Sequence, residues 1–135
     1  HPERFDLIVQ DAYHADGVAA HLEAAAYYRA LEAHLAPGGW LVNNVWGSDR
    51  SHLNEIQARM ARQFANLFAL SVRSNSNVIL VAGQAPKPPK TATLLNRAQS
   101  LEHQAPLEFT ALARKLRQLR PGPLALGVVD ADTPF

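Results

Sequence analysis

Cysteine is absent from the 135 residues. That excludes disulfides, thiolate chemistry and cysteine-based zinc sites, and it fits the expected cytoplasmic location. No apolar stretch approaches the roughly 20 residues that a membrane-spanning helix needs, so no membrane partner is expected. No basic segment followed by an apolar run marks a secretory signal. Neither sign of charge dominates: 13 Lys and Arg face 12 Asp and Glu, for a net charge of +1. Residues 1–67 carry 8 acids and 5 bases, and residues 68–135 carry 4 acids and 8 bases. Most of that basic excess lies in 86–120, where Phe109 is the only aromatic residue. A nucleic-acid platform needs interleaved aromatics for stacking, so this stretch reads as a solvated helical face and no nucleic-acid partner is expected. A Gly-x-Ser-x-Gly elbow is missing, which removes support for hydrolase chemistry. Gly47-Ser48-Asp49 lacks the glycine spacing and the lysine of a phosphate loop. His14 and His21 stand seven apart without further ligands at metal spacing, so no metal is expected.

What is present is a globular composition, 47% hydrophobic and 19% charged, at a length that supports one core. Phe5-Asp6-Leu7-Ile8-Val9-Gln10 is a short run with branched residues and predicts a strand over 5–10, buried on both faces as in a parallel sheet. A polar loop, 12–21, precedes a helix over 23–35 with Tyr28, Leu31 and Leu35 on one face. Pro37-Gly38-Gly39 stops that helix before a second strand over 40–46. Ser48 or Asp49 caps a helix over 50–66, whose apolar stripe is Leu53, Ile56, Met60, Phe64 and Leu67. A strand over 68–73, a turn cluster 74–77 and a strand over 78–83 predict an antiparallel hairpin. Three prolines within 85–90 make a stiff linker. Two amphipathic helices follow, over 92–103 and 107–119, and the tail from Pro121 reads as irregular. The β-α-β-α-β-β order implies one α/β sheet with parallel crossovers. Its expected order places 40–46 beside 5–10, then 78–83, with 68–73 at the far edge.

The segment Phe5 to Tyr13, then Asp16-Gly17-Val18, His21-Leu22, Tyr28 and Leu35-Ala36-Pro37-Gly38-Gly39-Trp40-Leu41-Val42, resembles the spermidine synthase family of aminopropyltransferases. More broadly it resembles the C-terminal half of a Rossmann-like, class I methyltransferase fold. Ser74-Asn75-Ser76-Asn77-Val78-Ile79 is similar to the hairpin of spermidine-synthase-like proteins, and Leu94-Leu95-Asn96-Arg97-Ala98 is similar to one of their C-terminal helices. The likeness runs over about residues 3–119. It implies a partial methyltransferase-like domain over 1–85, a Pro-rich linker and helical extension over 86–120, and a tail over 121–135. Such folds begin with a strand and a glycine-rich loop, and residue 1 stands where their fourth strand would lie. The expectation is a fragment or a half-fold, completed by an absent N-terminal half or by homo-oligomerisation.

The resemblance implies transfer of an aminopropyl or methyl group from S-adenosylmethionine, or its decarboxylated form, to a small-molecule amine. Asp11 ends a predicted parallel strand, where ligands of open α/β sheets bind. A carboxylate there can take the proton of an attacking amine, the role that the resemblance also implies, or it can cap the following loop. Asp16, five residues on, either pairs with a second ammonium group or is an exposed loop acid. Gly17 follows it where the family carries proline. Tyr13 either packs a substrate chain or an adenine edge, or anchors the loop. Asn43, Asn44 or Trp46 can face the same crevice, or serve only packing and backbone satisfaction. His34, His52 and His103 read as helix-surface residues. The alternative function is a non-catalytic half-domain that pairs with another protein chain through the edge of strand 5–10.

Overall fold

The computed structural model describes residues 3–12, 20–72 and 77–119. These form a mixed α/β fold of five strands and four α-helices. The sheet order is β1-β2-β4-β3-β5. β1 (Phe5–Gln10) runs parallel to β2 (Leu35–Trp46). β4 (Asn77–Gly83) lies antiparallel between β2 and β3 (Asn66–Val72). The expected order of the first four strands holds, including the antiparallel hairpin. The far edge differs, because β5 (Arg117–Leu119) pairs outside β3.

That difference corrects the helix expected over 107–119. α4 spans only Phe109–Lys115, and Leu116 is already extended. Phe109, Leu112, Leu116 and Leu119 fit a helical stripe, but two other gains prevail. The open backbone groups of β3 find partners in β5, and Leu119 packs against the core. α3 (Thr91–Glu102) agrees closely with its expected span.

α1 (Ala25–His34) and α2 (Arg50–Gln63) pack side by side on one sheet face. Alternation and register put Leu41 and Val45 of β2, Leu80 and Ala82 of β4, and Leu67 of β3 on that face. They form the core with Tyr28, Leu53, Ile56 and Met60. Each fully buried aliphatic side chain here contributes about 1.5–3 kcal/mol. α2 begins where Asp49 accepts from the His52 backbone N–H at 3.0 Å, a cap worth about 1 kcal/mol. It ends at Gln63, because Phe64 is extended. Leu67, expected on the helix stripe, therefore reaches the core from β3.

β2 is longer than expected and includes the Pro-Gly-Gly turn. Phe5 pairs with Leu35 but Leu7 with Trp40, so 36–39 bulge out of the ladder. Gly38 has φ +80°, and a Cβ on Gly39 would lie 2.9 Å from the carbonyl oxygens of Ala36 and Phe5. Glycine lets the bulge close onto β1.

Strand 5–10 is not buried on both faces. Phe5, Leu7 and Val9 are 46%, 57% and 62% exposed, while Gln10 is buried and Ile8 packs on the core. Among the described residues β1 is the sheet edge, and its outer face, away from α1 and α2, carries no described covering element.

Candidate functional site

Because β1 and β2 are parallel, both end at the same border of the sheet. Gln10 stands opposite Asn43, and Asp11 follows beside Asn44. β4 starts at this border, with Asn77 opposite Trp46. Alternation divides the residues here between two faces.

On the helical face the polar groups are enclosed. Asn43 is buried and donates to the Tyr28 hydroxyl at 3.2 Å, with the Met60 sulfur at 3.9 Å. Burial pushes the Tyr28 phenol up to about 12, helped by the negative charge of Glu23 and opposed by the Asn43 hydrogen bond. Tyr28 is thus a neutral acceptor for Asn43 and not a base near neutrality. Glu23 accepts from or faces His52 Nε2 at 2.9 Å, and Arg59 reaches the Glu23 carbonyl at 3.5 Å. Gln10 donates to the Leu22 carbonyl at 3.3 Å. These bonds pin the 3-10 turn at 20–23 against β1 and α2. His52, read from sequence as a surface residue, is a half-buried anchor.

On the other face Asp11 is exposed. Asn44 Nδ2 donates to Asp11 Oδ1 at 3.0 Å, and Asn77 Nδ2 donates to Asn44 Oδ1 at 3.1 Å. Trp46, two residues beyond Asn44 on the same face, is 53% exposed. The structure therefore brings Asp11 and Asn44 together at the carboxyl end of the parallel strands and leaves Asn43 on the far side. Asn77, assigned to a turn from its Ser/Asn neighbours, begins β4 and joins this cluster. The residue types alone did not single it out, because its contact is a diagonal one across the register. Tyr13, His14 and Asp16 lie outside the described residues.

No protein-family model and no curated protein matches the sequence. Solved structures do. The fold is similar to human methyltransferase-like protein 13 in complex with SAH, with a TM-score of 0.69 and 19% identity. That match covers 95% of this chain and 55% of the other. The chain has a partial methyltransferase fold. It is also similar to a probable spermidine synthase from Corynebacterium glutamicum, with a TM-score of 0.60 and 17% identity. That match covers 87% of this chain and 42% of the other. The chain thus spans about half the length of these structures.

The bulge at Gly38 and Gly39 lies at the amino end of β2, across the sheet from Asp11. Gly47 follows the end of β2 and leads through Ser48 to the Asp49 cap of α2, and among the described residues no group of three or more metal-ligating side chains occurs.

Proposed function

We propose that the chain is the acceptor-side part of a spermidine-synthase-like transferase that moves an aminopropyl or methyl group onto a small amine. The observation that carries this reading is the Asp11 carboxylate, exposed at the carboxyl end of the sheet and held by Asn44 at 3.0 Å. An ammonium group has no lone pair, so it must lose a proton before it attacks. Asp11 accepts that proton, and its negative charge draws the cationic amine to the site. The S-adenosyl donor, as second substrate, supplies an electrophilic carbon on a sulfonium. The nitrogen lone pair forms the new C–N bond while the C–S bond breaks and its pair stays on sulfur. Asp16 and Tyr13 are proposed to hold the remainder of the amine. Donor binding is assigned to chain beyond these residues, in an N-terminal half or a second copy, and the setting is proposed to be cytoplasmic.

The test is product analysis. The full protein is incubated with S-adenosylmethionine or its decarboxylated form and a panel of mono- and diamines, and mass spectrometry identifies the donor residue. Methylthioadenosine marks aminopropyl transfer, and SAH marks methyl transfer. If no pairing yields either product, the proposal is contradicted.

One observation favours a second reading, a non-catalytic half-domain in protein association: the outer face of edge strand β1 exposes Phe5, Leu7 and Val9. Under that reading the full protein binds no S-adenosyl ligand, which titration calorimetry decides.

A further inference from the structure

We infer that Glu23 and His52 form a second proton-accepting pair, in which His52 Nδ1 takes the proton of a neutral hydroxyl group on an acceptor. The inference rests on the transferase reading and not on Asp11. Its place is the carboxyl border of the sheet, where ligands of open α/β sheets bind. α2 starts at Arg50, just past the end of β2 at Trp46, and His52 stands in its first turn. Glu23 closes the 3-10 turn, which Gln10 at the end of β1 holds through the Leu22 carbonyl. The pair lies on the helical side of the border and Asp11 on the other.

Valence decides which ring nitrogen is available. A carboxylate accepts hydrogen bonds and donates none, so the 2.9 Å contact between Glu23 Oε1 and His52 Nε2 has its proton on Nε2. In the neutral imidazole Nδ1 is then a bare acceptor, and among the described residues it has no partner. The two side chains are unequally buried: that of Glu23 is 11% exposed and that of His52 37%. An enclosed carboxylate thus aims a ring that stays open to a ligand. Arg59 does not take over Glu23, because its guanidinium donates to the Glu23 backbone carbonyl at 3.5 Å and to Glu55 at 2.9 Å. The Tyr28 phenol, pushed up to about 12 and engaged by Asn43, does not compete for the role.

The chemistry differs from that at Asp11. An exposed carboxylate draws a cation. Here the carboxylate stands behind a ring, and the atom presented is a lone pair on nitrogen, which suits a neutral O–H group. The O–H proton passes to Nδ1. The oxygen lone pair forms a C–O bond to the electrophilic carbon of the S-adenosyl donor, and the C–S bond breaks with its pair left on sulfur. The imidazolium formed lies against Glu23 and returns its proton to water.

Two measurements on the full protein test this. Nitrogen-15 NMR of the neutral His52 ring should show the proton on Nε2. In Glu23→Gln, whose carboxamide both donates and accepts, the Nδ1–H form should appear as well. A wild-type ring with its proton on Nδ1 overturns the pair. The second measurement offers either S-adenosyl donor with phenol, 1,2-propanediol or 1,4-diaminobutane and identifies the products by mass spectrometry. His52→Gln keeps a hydrogen-bond donor for Glu23 and removes the base. It should lower the ratio of hydroxyl to amine transfer about 10²–10⁴-fold, the usual scale of a general base. An equal fall in both transfers marks a structural role and overturns the inference. Wild-type transfer to the amine with none to either hydroxyl compound also overturns it and leaves the functional reading standing. Transfer to neither class overturns both.

Discussion

Replacing Tyr28 by Phe removes a single oxygen from the centre of the core. Tyr28 is fully buried, and its hydroxyl is the oxygen acceptor for the Asn43 amide, itself 2% exposed. After the change Asn43 Nδ2 keeps only the Met60 sulfur at 3.9 Å, a weak acceptor. A buried donor stripped of its partner costs about 1–3 kcal/mol. Total stability of a domain this size is about 5–15 kcal/mol, so the loss is a large share. It should lower Tm by roughly 3–6 °C per kcal/mol. The companion double variant, Tyr28→Phe with Asn43→Leu, removes both polar groups and should recover most of the loss. Urea denaturation of the wild type, both single variants and the double variant gives the cycle. A single Tyr28→Phe variant within about 0.5 kcal/mol of wild type, or a double variant no better than Tyr28→Phe alone, would refute the reasoning.

The same side chain gives an alkaline limb to stability. The folded phenol titrates at about 12 against 10.0 in the unfolded chain. Between those values the folded state holds a proton that the unfolded state has released, so stability is full below pH 10 and falls as pH rises to 12. The loss approaches about 2–3 kcal/mol for a shift of this size, and Tyr28→Phe should flatten that limb.

Further outcomes follow from other contacts. Gly39→Ala should destabilise the fold by at least about 1 kcal/mol, because its Cβ would sit 2.9 Å from two backbone oxygens that cannot swing away; an unchanged denaturation midpoint contradicts the bulge geometry. Gln84→Leu should cost about 1–3 kcal/mol. It strips Glu32 and the Gln63 carbonyl of a shared donor, each at 2.7 Å, and leaves the Ala65 N–H unpaired. A midpoint within error of wild type would count against that clasp. Glu102 is held below its ordinary value by the Thr110 N–H and hydroxyl. Its contribution is therefore present above the unfolded carboxyl range and lost as pH falls, so the protection of the Thr110 amide relative to its intrinsic exchange rate should drop in acid and lose that dependence in Glu102→Gln.

Much of the architecture was legible in the residues. The apolar runs at 5–10 and 78–83 and the Asp49 cap mark their own elements, and the short hairpin connection sets β3 beside β4. β5 was not legible, since three residues carry no periodicity and Leu119 satisfies a helical stripe as well as a strand. The exposure of Phe5, Leu7 and Val9 was misread because a mixed apolar run looks the same on a covered and an uncovered edge strand. For the site, Asp11 was marked by its place after a strand. Asn77 and His52 were not, because their roles come from register and helix packing across 33 and 29 residues.

The central claim is that Asp11 takes the proton of an amine acceptor. Steady-state kinetics of the full protein carrying Asp11→Asn, with the donor saturating and the amine varied, tests it most directly. The expected result is a fall in kcat/KM for the amine of about 10²–10⁴-fold, the usual contribution of a positioned general base. A variant that turns over within threefold of the wild type would contradict it.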